Sequence, residues 1–146
     1  MRIFFGLLTL LFFVFICWII ISADVGFQGA IFEWVKRVPY GDKLSHFTLY
    51  LVLALLLNMA LQGAAFTMEF AFFPRLGSVN FMWGSGLVFV FSVIEEISQF
   101  YIPVRTPDGG DVLANLCGVY VAAILARRFG VASMFRFKGL PSGRQD

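Results

Sequence analysis

A chain of 146 residues suits a single domain. Apolar residues make up 60% of it and charged residues 14%, against ~45–50% and ~25% in soluble domains, and a soluble fold this small has no interior large enough for so much apolar surface. The net charge of +2 is too weak to argue for a nucleic-acid partner, so the chain reads as an integral membrane protein whose basic residues report its orientation.

The first apolar segment, Ile3 to Ile21, contains no charge. At 1.5 Å per residue it covers ~28 Å, close to the hydrocarbon core of a bilayer. It is longer than a signal-peptide core, and the small-residue pattern after Ile21 is weak, so it reads as a retained anchor. Residues 24–43 connect it to the next segment. There Phe27, Ile31, Trp34, Val35 and Val38 recur at helical spacing, while Gln28, Glu33, Lys36 and Arg37 lie mostly elsewhere on the wheel. That pattern predicts a short helix lying in the membrane interface, ended by Pro39-Tyr-Gly41.

The second segment, Leu44 to Leu61, is introduced by Asp42, Lys43 and His46. Residues 63–80 form a Phe-rich connection punctuated by Glu69, Pro74 and Arg75. The third segment runs from Phe81 to Ile102 and carries Glu95, Glu96 and Gln99 near its end. After Pro103, Arg105 and Pro107, the fourth segment is opened by Asp108, Asp111 and Asn115 and stopped by Arg127 and Arg128. The predicted architecture is an all-α, four-helix membrane bundle over residues 1–128, with its polar core within 42–118. A basic polar tail occupies 129–146. Cys17 and Cys117 fall in different apolar runs, have no metal-binding spacing, and read as buried thiols.

Four spans put both termini on one side. With the termini in the cytoplasm, that side holds Arg2, Arg75, Arg127, Arg128, Arg136, Lys138 and Arg144, and the other holds Lys36, Arg37, Lys43 and Arg105. The excess of basic residues places the termini inside, in the cytoplasmic (inner) membrane.

Up-down topology then brings the start of the second segment, the end of the third and the start of the fourth to one membrane face. Asp42, His46 and Tyr50 share a stripe at i, i+4, i+8. Glu96 and Gln99 stand at i, i+3, with Ser92 one turn below. Asp108, Asp111, Asn115 and Gly118 share a third stripe. Glu95 lies about 100° around the helix from Glu96, so at most one of the two is expected in a shared pocket. An ionisable group at the centre of a membrane helix costs ~2.5–3.5 kcal/mol on insertion scales, so three such stripes should face one another rather than lipid. Gly118 would let a neighbouring helix approach beneath them.

The chemistry open to this set is broad. His46, Glu96, Asp108 and Asp111 are the candidate acid–base groups. Lys43, Gln99, Arg105 and Asn115 are the candidate substrate-binding groups, with Arg105 and Lys43 suited to phosphate or carboxylate. The same oxygens could hold a hard divalent cation, with Asn115 or Gln99 as a neutral ligand, although the spacing assigns no metal. Taken singly, Arg105 with Asp108 reads as a loop salt bridge, and Asp42 with Lys43 as helix-start residues.

The motifs Asp42-Lys43-x-x-His46-x-x-x-Tyr50, Glu96-x-x-Gln99 and Pro103-x-Arg105-Thr-x-Asp108-x-x-Asp111-Val-Leu-Ala-Asn115-x-x-Gly118 together resemble the VanZ-like family, named for a teicoplanin-resistance membrane protein. The resemblance covers about residues 42–126. It implies a small multi-pass protein whose polar core comprises Lys43, His46, Glu96, Gln99, Arg105, Asp108, Asp111 and Asn115, and a link to glycopeptide resistance, but it supplies no reaction. The expected partners are membrane lipids and an anionic lipid-linked envelope precursor. A non-enzymatic binding or resistance protein and a proton or solute conduit are the alternatives, and the sequence leaves the oligomeric state open.

Overall fold

The structure, a computed structural model, describes residues 1–27, 29–69 and 78–129. Five helices and one hairpin follow in order: α1 (Arg2–Asp24), α2 (Ala30–Arg37), α3 (Gly41–Ala60), β1 (Ala65–Glu69), β2 (Ser78–Met82), α4 (Trp83–Gln99) and α5 (Gly109–Arg128). Gln28, Pro74, Arg75 and the basic tail from residue 130 onward lie outside the described residues.

The chain is mostly helical, and α1, α3 and α5 are long and apolar enough to cross a membrane. Helix α4 has 17 residues, shorter than the segment expected from Phe81 to Ile102, because Phe81 and Met82 belong to strand β2. Its two faces are inverted relative to a helix of a soluble protein. Leu87, Val90, Ile94 and Ile97 point outward, while Ser85, Ser92, Glu95, Glu96 and Gln99 are buried. Such a helix suits a surrounding of acyl chains, since water would favour the opposite arrangement.

Helix α3 occupies the centre and packs against α1, α4 and α5. The core between them consists of Ile16 from α1, Tyr50, Leu53 and Ala54 from α3, Val88 from α4, and Val119 and Ala122 from α5. Helices α3 and α5 come closest at Gly118, where an added Cβ would stand 2.3 Å from the Phe47 carbonyl oxygen. The sequence expectation for Gly118 is met. Small residues let two membrane helices pack backbone to backbone, where dispersion and short-range contacts replace the missing hydrophobic drive.

At the end of α3 away from the polar stripes, Asn58 is fully buried. Its Nδ2 donates to Ser85 Oγ (2.8 Å), and its Oδ1 accepts from the Ser85 backbone N–H (3.1 Å). One residue thereby satisfies a first-turn N–H of α4 that the helix itself leaves unpaired.

The hairpin is a finding beyond the sequence reading, which treats residues 63–80 as an irregular connection. Strands β1 and β2 pair antiparallel from Ala65↔Met82 to Glu69↔Ser78. Phe66 packs its ring against Phe81 and Trp83, and the Arg127 guanidinium donates to the Asn80 carbonyl, tying the end of α5 to the hairpin.

Candidate functional site

The polar residues of the sequence motifs gather at one end of the helices, as the up-down arrangement requires. Helix α3 enters at Gly41 and carries Asp42, Lys43, His46 and Tyr50 in its first turns. Helix α4 arrives at the same end with Glu95, Glu96 and Gln99. Helix α5 starts there, capped by Asp108, whose Oδ1 accepts from the Gly110 N–H (2.8 Å).

Lys43 bridges the start of α3 to the start of α5. Its ammonium donates to Asp108 Oδ2 and lies 3.0 Å from Asp111 Oδ1. The lysine and the Gly110 N–H hold the Asp108 carboxyl below its ordinary range. Asp108, half-exposed, is thus a helix cap and ion-pair partner, and it pairs with Lys43 rather than with Arg105.

His46 is the hub. Its Nδ1 lies 3.1 Å from Asn115 Oδ1 and 4.0 Å from Glu96 Oε1. Its Nε2 lies 3.9 Å from both Asp42 Oδ1 and Asp111 Oδ2. The imidazole lies nearly parallel to the Tyr50 ring, with the planes 17° and the centroids 6.3 Å apart. One aromatic ring therefore faces oxygen atoms along both edges.

Glu95 enters the site together with Glu96, contrary to the expectation that only one of them would. Glu95 Oε1 accepts from Gln99 Nε2 (2.8 Å) and from Arg105 Nη2 (3.3 Å), and Tyr50 OH stands 3.5 Å from Oε2. Both carboxylates are buried. The end of α4 has neighbours on two sides, so a 100° separation still leaves both residues facing inward: Glu95 toward Tyr50 and Arg105, Glu96 toward His46. Asp24, at the end of α1, completes this half, with its Oδ1 3.7 Å from Arg105 Nε. A topological signal for Asp24 exists in the sequence, because the first acid after a long apolar run marks where that run leaves the membrane.

Every candidate residue from the sequence lies in this network: His46, Glu96, Asp108, Asp111, Lys43, Gln99, Arg105 and Asn115. Counting Asp24, Asp42 and Glu95, six carboxylates stand against two fixed cations, Lys43 and Arg105, both already paired. Four buried polar atoms among the described residues have no hydrogen-bond partner: Asp24 Oδ1, Glu96 Oε1, Arg105 Nε and Asn115 Nδ2. Asp24 Oδ1 and Arg105 Nε face each other as an ion pair at 3.7 Å, which leaves Glu96 Oε1 and Asn115 Nδ2 as the unsatisfied pair of atoms around His46.

A cleft of about 440 Å³ opens onto the cluster. Its long walls are apolar, with Phe15, Trp18, Ile19 and Ile20 of α1 facing Leu44 and Leu49 of α3. Asp42, His46, Tyr50, Glu95 and Arg105 close its polar end. Below the cluster, the apolar layer of Ile16, Leu53, Ala54, Val88, Val119 and Ala122 separates it from Asn58 and Ser85.

Fold and site together define a helical protein, three of whose helices suit a membrane, with a charged cavity at one end and an apolar cleft leading into it. Comparison with family models, curated proteins and solved structures finds no match to this chain.

Proposed function

We propose that the chain is a four-helix membrane bundle of VanZ-like type that admits a single lipid, or a lipid-linked envelope precursor, and acts on its anionic head group by acid–base chemistry. In this reading it lies in the cytoplasmic membrane with both termini inside and the charged cavity at the outer face. Helix α4 serves as the fourth span, with its apolar face toward lipid, and α2 lies across the interface.

The observation that carries the reading is the cleft. A lipid tail laid between α1 and α3 brings its head group against Arg105 and His46 without leaving apolar surroundings. Arg105 Nε makes no hydrogen bond and stands 3.7 Å from Asp24 Oδ1, so it is the guanidinium donor left for a phosphate oxygen. His46, flanked by Asp42 and Asp111, takes a proton from water or a hydroxyl, and the two carboxylates stabilise the imidazolium that forms. Glu96, buried on the other edge of the ring, is placed to return a proton to a leaving group.

One observation favours a second reading, a binding or resistance protein without turnover. Lys43 and Arg105 are both paired with the protein's own carboxylates, which suits a fixed charge pattern better than repeated substrate exchange. The two readings part on one experiment. The protein is purified in mild detergent, bound lipid is extracted and quantified, and vesicles of phosphatidylglycerol with polyprenyl phosphate are then followed for head-group change. Acid–base action predicts a retained lipid, lost on Ser45→Trp in the cleft wall, and a head-group change abolished by His46→Ala. Retention with no change, unaffected by Asp111→Glu, supports the binding reading. Absence of any retained lipid overturns both.

A further inference from the structure

The two edges of the His46 ring pose a problem in proton counting. A neutral imidazole carries one N–H. A proton on Nδ1 donates to Asn115 Oδ1 at 3.1 Å, whereas a proton on Nε2 faces Asp42 Oδ1 and Asp111 Oδ2, each 3.9 Å away. In the latter case the Nδ1 edge is a lone pair. Opposite it stand Asn115 Oδ1 at 3.1 Å and Glu96 Oε1 at 4.0 Å, and both of those atoms can only accept when Glu96 is ionised. With the proton on Nε2, three lone-pair atoms converge there with no donor among them, an arrangement that a cation resolves.

Glu96 supplies the independent sign that a ligand belongs there. Its side chain is 5% exposed, and its Oε1 has no hydrogen-bond partner. A separation of 4.0 Å is too long for an N–H···O bond, whose heavy atoms lie ~2.7–3.2 Å apart. It is a little longer than the ~3.3–3.6 Å between two ligands of a tetrahedral ion bound at ~2.0–2.2 Å each, so a small side-chain movement brings both onto one ion. Glu95 closes the set: one donor atom from each of His46, Glu95 and Glu96 lies within 4.8 Å of the others.

The geometry points to a divalent transition-metal ion, of the zinc type, bound by His46 Nδ1, Glu96 and Glu95, with Asn115 Oδ1 at its margin. Mixed imidazole and carboxylate donors select such an ion over magnesium or calcium, which take oxygen alone. Asp42 and Asp111, each 3.9 Å from the other ring nitrogen, then lie on the side where carboxylates commonly stand around a metal-bound histidine. The ion also offsets the surplus of carboxylates over Lys43 and Arg105. His46 and Glu95 also line the apolar cleft, so the site lies beside it. The site stands on these side chains alone and does not require that a lipid be the substrate; where the ion is bound, His46 and Glu96 serve as its ligands in place of the acid–base roles proposed above.

The test uses the full chain in mild detergent, stripped with a chelator and titrated calorimetrically with zinc alone, without added lipid. The expected result is one equivalent bound per chain, with affinity lowered at least tenfold by Glu96→Gln and by His46→Ala. Asp111→Asn should weaken binding by less than either. Cobalt added to the unsubstituted protein should give visible d–d absorption of a low-symmetry N/O site, a readout that remains if a variant fails to fold. Lack of saturable zinc uptake by the unsubstituted protein overturns the proposal. So does uptake that Glu96→Gln leaves unchanged.

Discussion

Gly118 of α5 lies directly against the Phe47 carbonyl of α3, and this approach sets the register of the whole polar cluster. One turn toward the membrane boundary from that contact, His46 meets Asn115. One turn further, Lys43 meets Asp111. The geometry of the site thus depends on a residue that takes no part in its chemistry.

Gly118→Ala should therefore be strongly destabilising. The added Cβ meets a backbone carbonyl at 2.3 Å, which no side-chain rotation relieves. Overpacking of this kind costs about 1–3 kcal/mol. Gly109→Ala is the control, because nothing stands within 4 Å of its Cβ position. Thermal unfolding in detergent should show a lower Tm for the first and an unchanged or raised Tm for the second.

Arg105→Ala should be the most damaging of the charge deletions. It strands Glu95, whose side chain is 4% exposed, and breaking a buried pair costs about 3–5 kcal/mol. Adding Glu95→Gln to Arg105→Ala should recover part of the loss, because the unpaired charge is gone. Denaturant unfolding of the two singles and the double reads this directly, and simple additivity would contradict it.

The Lys43–Asp108 pair should make stability fall on the acid side. The Asp108 carboxyl is held below its ordinary range in the folded chain, so its contribution is complete above the ordinary aspartate value and is lost as pH falls through the lowered one. Asp108→Asn should flatten the acid limb of a Tm-versus-pH curve by lowering the neutral plateau toward the acid value, a small change because this aspartate is half-exposed. High salt should produce a similar flattening.

Asn58→Leu separates stability from function. It removes both contacts to Ser85 and leaves a buried N–H unpaired, at a cost of about 1–3 kcal/mol. Asn58 lies across the apolar layer from His46, so lipid retention by the folded fraction should be unaffected.

Much of this arrangement is legible in the sequence because bilayer physics leaves few choices. Alternating helix directions bring Lys43, Glu96 and Asp111 to one end, and helical spacing puts Asp111, Asn115 and Gly118 on one stripe. Glu95 escaped because spacing describes a helix in isolation, whereas the end of α4 has inward neighbours on two sides, at Tyr50 and at His46. The hairpin escaped because Phe-rich residues 63–80 read equally as membrane-edge chain. Asn58 escaped because one amide in an apolar run has no periodicity to reveal its partner, Ser85.

The meeting of separate helices in one polar cavity is tested most directly by crosslinking His46→Cys with Asn115→Cys in native membranes, after Cys17→Ala and Cys117→Ala. Mild oxidation followed by peptide mass spectrometry should find the two positions joined, and should not join His46→Cys to Ala126→Cys at the far end of α5. A joined distant pair together with an unjoined near pair would contradict the account.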